Sequence, residues 1–162
     1  MNYGFVNVAA AVPSVRVADV RFNVAEIEKQ LVKAEADGVE VVVFPELSLT
    51  GYSCQDLFAQ QLLISAAEEG MALLLNQSRE MDVIGIVGAP VAYHNMLLNC
   101  GIVFQHGRIL GIVPKTFLPN YNEFYEKRWF ASAADATVTE MVLCGQTVPL
   151  GAQLLFESAN VT

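Results

Sequence analysis

Apolar positions follow two rhythms along this chain, one suited to strands and one to helices. From Phe5 to Ala11 small and β-branched apolar residues predict a first strand. Val20, Val24, Ile27 and Leu31 then recur at steps of four, three and four, which is one apolar stripe of a helix running from Asp19, a capping residue, to about Asp37. Gly38 is placed to end it. The run Val39-Glu40-Val41-Val42-Val43-Phe44 follows at once, bounded by Gly38 and Pro45. A short β-branched run with such borders predicts a strand buried on both faces. Strand, helix, strand makes a crossover unit, expected to be right-handed.

Thr50-Gly51-Tyr52 reads as a turn before a second helical stretch, Asp56 to Glu80, with a break expected near Gly70. This stretch carries Leu62, Leu63, Ile64, Ala67, Met71, Leu74 and Leu75 on more than one side, the pattern of a helix covered twice. Val83 to Val87 predicts a third strand. Met96 to Phe104 and Arg108 to Val113 flank Gln105-His106-Gly107, which predicts a hairpin. Thr116 to Phe130, rich in Pro, Asn and aromatics, reads as a long functional loop. Short strands near Glu140 to Leu143 and Gln153 to Phe156 close the order. The mixture of strands and helices, with a late bias to strands, predicts a layered α/β fold in one domain, residues 1–162.

Composition narrows the class. A chain of 162 residues that is 54% hydrophobic and 16% charged can bury a core and is not disordered. Its mean hydropathy of +0.41 is high for a soluble chain of this size, so part of its apolar surface is expected to meet another chain or another part of the same one. A net charge of −8, with nine Lys and Arg in no run, argues against a nucleic-acid partner. No stretch has the length and apolarity of a bilayer span, and no basic residue precedes Arg16 as a signal peptide would need. Cys54, Cys100 and Cys144 are widely spaced and odd in number, which fits reduced thiols in a cytoplasmic protein; the Asn160-Val161-Thr162 sequon carries little weight there. His94 and His106 have no cysteine or carboxylate at ligand spacing, so no metal site is expected.

Glu46 stands just past the end of the Val39 to Phe44 strand, where open α/β sheets bind ligands. Lys115 follows a second β-rich stretch, and Glu123 lies eight residues beyond it. Taken singly, each is equally a helix cap, a solvated lysine or a loop charge. Together, a carboxylate, an ammonium and a second carboxylate can hold a base and a cation side by side at neutral pH.

The surrounding words are Phe44-Pro45-Glu46-Leu47-Ser48-Leu49-Thr50-Gly51-Tyr52 and Lys115-Thr116-Phe117-Leu118-Pro119-Asn120-Tyr121-Asn122-Glu123-Phe124-Tyr125-Glu126-Lys127-Arg128-Trp129-Phe130. They resemble the carbon-nitrogen hydrolase (nitrilase) superfamily, and the second word most resembles the glutamine-hydrolysing domains of the glutamine-dependent NAD synthetases. The resemblance covers nearly the whole chain and implies the α-β-β-α sandwich of the nitrilase superfamily, present here as its N-terminal portion. It implies that Glu46 is a general base for a cysteine thiol, that Lys115 faces the oxyanion, and that Glu123 supports Lys115. It places Tyr121 against a glutamine substrate, with Phe124 and Tyr52 lining the same pocket. It also implies homo-oligomers, no cofactor within this chain, and ATP and magnesium used only by a synthetase domain that the chain lacks.

Cys144, the only cysteine after Lys115, sits in Leu-Cys-Gly-Gln-Thr-Val-Pro, which departs from the family's nucleophile context. The expectation is therefore an inactive N-terminal fragment whose catalytic cysteine lies downstream. Two alternatives stand beside it: a stand-alone amidase or nitrilase with another substrate, and a non-catalytic α/β assembly or binding module.

Overall fold

The computed structural model describes residues 5–136 and 139–157, which leaves the Asn160-Val161-Thr162 sequon outside the described residues. Strands β1 (Val8–Ala10), β2 (Val41–Val43), β3 (Ile84–Tyr93), β4 (Met96–Gln105) and β5 (Arg108–Pro114) form one sheet in sequence order. The first three pair in parallel and the last three pair antiparallel. Helix α1 (Val20–Ala36) joins β1 to β2, and helix α2 (Gln61–Gln77) precedes β3.

Helix α1 starts where its sequence says. The Asp19 carboxylate accepts the Phe22 N–H at 3.2 Å, satisfying one free donor of the first turn. Val20, Val24, Ile27 and Leu31 are all buried. Asn23 is buried among them, and its side chain donates to the carbonyls of Arg16 and Leu49 and accepts the Arg16 N–H. A polar side chain in the apolar stripe thus stitches α1 to the chain just beyond β2.

Helix α2 departs from expectation at both points of detail. Residues Tyr52–Ala59 form a kinked 3₁₀ segment, interrupted by Gln55 at φ 52°, so the α-helix begins only at Gln61. It then runs unbroken through Gly70, where the expected break does not occur. Gly70 serves close packing instead: a Cβ there would stand 2.6 Å from Val20 Cγ1 of α1. Leu63, Ala67, Met71, Leu74 and Leu75 are buried, whereas Leu62 is 80% exposed.

The helices cover one face of the sheet, over Val42, Val87, Ala89, Leu98, Cys100, Ile102 and Phe104. Strand β2 is therefore covered on one side only, which corrects the expectation of burial on both: Val42 is fully buried but Val43, on the opposite face, is 44% exposed. On that open face Val43, Ile86, Gly101 and Val113 floor a cleft of about 280 Å³. Strand β3 outruns its expected end at Val87. Beyond Ile86 it has lost β2 as a neighbour, and an edge tolerates the missing N–H of Pro90.

The hairpin of β4 and β5 turns at His106-Gly107, both at positive φ, as a two-residue hairpin requires. A second hairpin, β6 (Glu140–Leu143) and β7 (Gln146–Pro149), turns at Cys144-Gly145 and sets Val148 and Leu150 into the core near β5. Its return strand comes earlier than the Gln153 to Phe156 expected. That segment is irregular, with Leu154 and Phe156 against Gly111.

Candidate active site

Glu46 is carried by a tight turn at the end of β2. Ser48 N–H donates to the Pro45 carbonyl, and Thr50 and Gly51 N–H donate to the Leu47 carbonyl at 3.1 and 2.7 Å. Leu47 itself sits at φ 52°, a conformation costly for a leucine, held by complete burial of its side chain. The turn lies directly on β3, where Leu49 N–H donates to the Gly88 carbonyl and Gly88 N–H donates to Ser48 Oγ.

Lys115 follows β5 and extends its ladder by one bond, donating its N–H to the Asn99 carbonyl at 2.8 Å. Its ammonium reaches Glu46 Oε1 at 2.7 Å and both oxygens of Glu126 at 3.0 Å. Two strand ends far apart in sequence thus place opposite charges in contact, as the sequence led us to expect. Glu46, Asn99 and Lys115 line the open cleft.

The second carboxylate is Glu126, not Glu123. Glu123 is exposed, and no hydrogen bond or ion pair reaches it among the described residues. Glu126 begins a 3₁₀ turn (Glu126–Arg128), is 2% exposed, and also accepts the Tyr52 hydroxyl at 2.7 Å. Beside these bonds, the Glu126 end of the loop is anchored by Phe130, whose ring packs on Phe58 at 4.9 Å and is buried. That anchor helps draw this end inward. The aromatic pair Trp129-Phe130, three and four residues after Glu126, is the sequence signal that could have singled it out.

Burial alone would lower the pKa of Lys115, but its hydrogen bonds to Glu46 and Glu126 and their charges outweigh burial and raise it. The ammonium therefore stays charged at neutral pH and is a fixed cation rather than a nucleophile. Burial, then the Glu126 hydrogen bond and the charges of Glu126 and Glu46, push the Tyr52 phenol well above its ordinary range, with Tyr121 adding to the shift. Tyr52 is thereby a lasting donor to Glu126.

Tyr121 and Phe124 stand edge to face with centroids 5.8 Å apart. Tyr121 is 64% exposed and borders a cavity of about 570 Å³ with Phe117, Pro119 and Lys127. The segment bearing Tyr52 and the loop bearing Glu126 are further tied by Asp56, which accepts two bonds from Arg128 and one from the Trp129 indole.

Asn99 was not anticipated. It is 3% exposed, and its Nδ2 donates to Glu46 Oε1 at 2.5 Å. The available signal was a lone amide in the otherwise apolar run Leu97-Leu98-Asn99-Cys100, since a buried polar group needs a partner.

Cys144 lies elsewhere. Its backbone N–H donates to the Glu68 carboxylate of α2, in the helical layer. Burial and the Glu68 charge push its thiol up to about 11, so little thiolate forms near neutrality. Among the described residues no three His, Cys, Asp or Glu side chains gather in a metal-binding group.

A carboxylate–ammonium–carboxylate array on the open face of a mixed sheet is suited to proton transfer beside a developing anion. The chain belongs to the carbon-nitrogen hydrolase family, whose pattern matches residues 7–157. Among its relatives, the glutamine-dependent NAD(+) synthetase of Mycobacterium leprae is 35% identical over 160 residues, which cover 99% of this chain and 23% of the relative. That of Aquifex aeolicus is 34% identical over 135 residues, 83% of this chain and 24% of the relative. The crystal structure of a glutamine-dependent NAD(+) synthetase from Cytophaga hutchinsonii superposes with a TM-score of 0.83 at 26% identity, over 94% of this chain and 26% of that one. An amidase of the nitrilase superfamily from Nesterenkonia shares the fold, with a TM-score of 0.70 at 18% identity over 90% of this chain and 55% of that one. The chain thus spans about a quarter of the length of the synthetases it matches.

Proposed function

We propose that this chain is the N-terminal part of a glutamine amide hydrolase domain within a glutamine-dependent NAD synthetase. The observation that carries the reading is the Lys115 ammonium held between Glu46 and Glu126 at the end of an open cleft. The identity with the mycobacterial synthetase supports it, because the matched 160 residues include all three groups.

In this reading a cysteine thiol from outside the chain enters the cleft. Glu46 takes the thiol proton, and the thiolate attacks the side-chain amide carbon of glutamine. Lys115 stabilises the resulting oxyanion as a fixed positive charge. The tetrahedral intermediate collapses, the carbon–nitrogen bond breaks, and the proton held by Glu46 leaves with the amine as ammonia. Water activated by Glu46 then hydrolyses the thioester to glutamate and regenerates the thiol. Glu126 and Tyr52 hold Lys115, and the family resemblance is what supports Tyr121 and Phe124 as neighbours of the substrate.

The ammonia would serve a ligase step, amidation of nicotinic acid adenine dinucleotide, in a domain using ATP and magnesium. A homo-oligomer is supported by the exposed Leu62 and Leu73 on α2. A cytoplasmic setting is supported by three unpaired thiols. No helix of the described residues is long and apolar enough to cross a membrane.

The test is ammonia release from glutamine by this chain and by the complete enzyme. We expect no turnover by the chain alone, and turnover by the complete enzyme that is lost in Glu46→Gln and Lys115→Ala but kept in Cys144→Ala. Turnover by the chain alone that disappears in Cys144→Ala would overturn the assignment of the nucleophile to another segment.

A further inference from the structure

We propose that Asn99 is a positioning residue that divides the labour between the two oxygens of Glu46, an inference that rests on the amide-hydrolase reading above. Oε1 of Glu46 receives both the Asn99 amide and the Lys115 ammonium. Oε2 receives no donor from the described residues. One oxygen is thereby anchored, and the other is left to accept a proton from a group entering the cleft.

Lys115 cannot do this anchoring alone. Its ammonium is a rotating point charge on a flexible stem, and it is shared with both oxygens of Glu126. The Glu46 side chain is 40% exposed, so with Lys115 as its single partner it could turn and present either oxygen. Asn99 is planar, buried, and fixed in the middle of β4 between Leu98 and Cys100, whose side chains enter the core on the other face. Its orientation is settled by chemistry, because a carboxylate only accepts and the amide must therefore turn its N–H toward Glu46. The same residue accepts the Lys115 N–H with its backbone carbonyl at 2.8 Å. Asn99 thus fixes the position of Lys115 with its main chain and the rotation of Glu46 with its side chain. It touches no reacting atom; it acts through Glu46.

The experiment has two arms. In this chain, the side-chain amide protons of Asn99 are followed by NMR. One of them is expected at low field, bound to the carboxylate, and is expected to return to the ordinary amide region in Glu46→Ala. An Asn99 amide that is unaffected by Glu46→Ala would overturn the proposal. In the complete enzyme, Asn99→Leu, close in size but unable to donate, is expected to lower kcat by about 100-fold, the low end of what a placed base contributes, with little change in KM for glutamine. Asn99→Asp, which sets a second carboxylate against Glu46, is expected to lower kcat further, and it serves where the leucine variant fails to fold. Wild-type kcat in a folded Asn99→Leu or Asn99→Asp variant would overturn the proposal, as would a loss confined to KM. A wild-type enzyme that released no ammonia from glutamine would instead refute the amide-hydrolase reading, and the NMR arm would still decide whether Asn99 anchors Glu46.

Discussion

Gly88 of β3 lies against the backbone of Glu46. A Cβ built on Gly88 would come 2.8 Å from the Glu46 carbonyl carbon, 2.7 Å from the Pro45 oxygen and 2.2 Å from the Leu47 nitrogen. Those atoms are main chain and cannot swing aside, so the turn that carries Glu46 can seat on the sheet only over a glycine. We predict that Gly88→Ala lifts this turn, destabilises the chain by about 2–3 kcal/mol and separates Glu46 from Lys115. Urea unfolding measures the first effect and a structure of the variant the second. An unchanged midpoint with the Glu46–Lys115 contact intact would show that the turn has room to yield.

Asp56 should confer an acid-sensitive tether on the loop that carries Glu126. The Arg128 guanidinium, then the Trp129 indole, hold its carboxyl far below the usual carboxylate range. A depressed folded-state pKa contributes stability that is fully present above the unfolded value near 3.9 and is lost progressively as pH falls below about 4. Trp129 is the only tryptophan, so tryptophan fluorescence reports on this one position and its surroundings. We predict an emission change on acidification that sets in only well below pH ~4, as pH nears the depressed Asp56 pKa, while far-UV circular dichroism is still native. Asp56→Asn, which carries no titrating group, should lack that change. The same acid transition in wild type and variant would assign it to another group.

The three thiols should be sluggish. Burial raises the pKa of Cys100 and of Cys54, and burial with the Glu68 charge pushes Cys144 up to about 11. With native protein at pH 8, a disulfide reagent should label slowly, and all three cysteines should react promptly once the chain is unfolded. A fast stoichiometric phase that disappears in Cys144→Ala would reveal a thiolate at the hairpin turn and reopen the question of the nucleophile.

Much of this molecule was written locally. The stripe of Val20, Val24, Ile27 and Leu31 becomes the buried face of α1, and Asp19 caps it, because helix period and capping depend on near neighbours. Glu46 and Lys115 were legible for a different reason. Each stands in a stretch that resembles the family, but their contact is not local: β2 and β5 run the same way, so their carboxyl ends share one edge of the sheet.

Tertiary structure decided the rest. Whether β2 is covered on one face or two depends on where both helices settle, and the run Val41-Val42-Val43 reads the same either way. Glu123 and Glu126 share one loop and one charge. Partners distant in sequence, the Phe58 ring under Phe130, the Tyr52 hydroxyl, the Lys115 ammonium and the Asp56 carboxylate, hold the Glu126 end of the loop inward, while Glu123 stays in solvent. Gly70 reads as a break in sequence, yet it and Gly88 serve as contact points in the fold, because what a glycine omits matters only once another segment fills the space. Asn99 marks the same boundary: the sequence shows a buried-type strand with one amide in it, and the carboxylate that satisfies the amide arrives from another strand's end. Periodicity, capping and turns are set by short-range sterics and hydrogen bonding, which the sequence carries directly. The partner of a buried polar group is set by long-range packing, which exists only once the chain has folded.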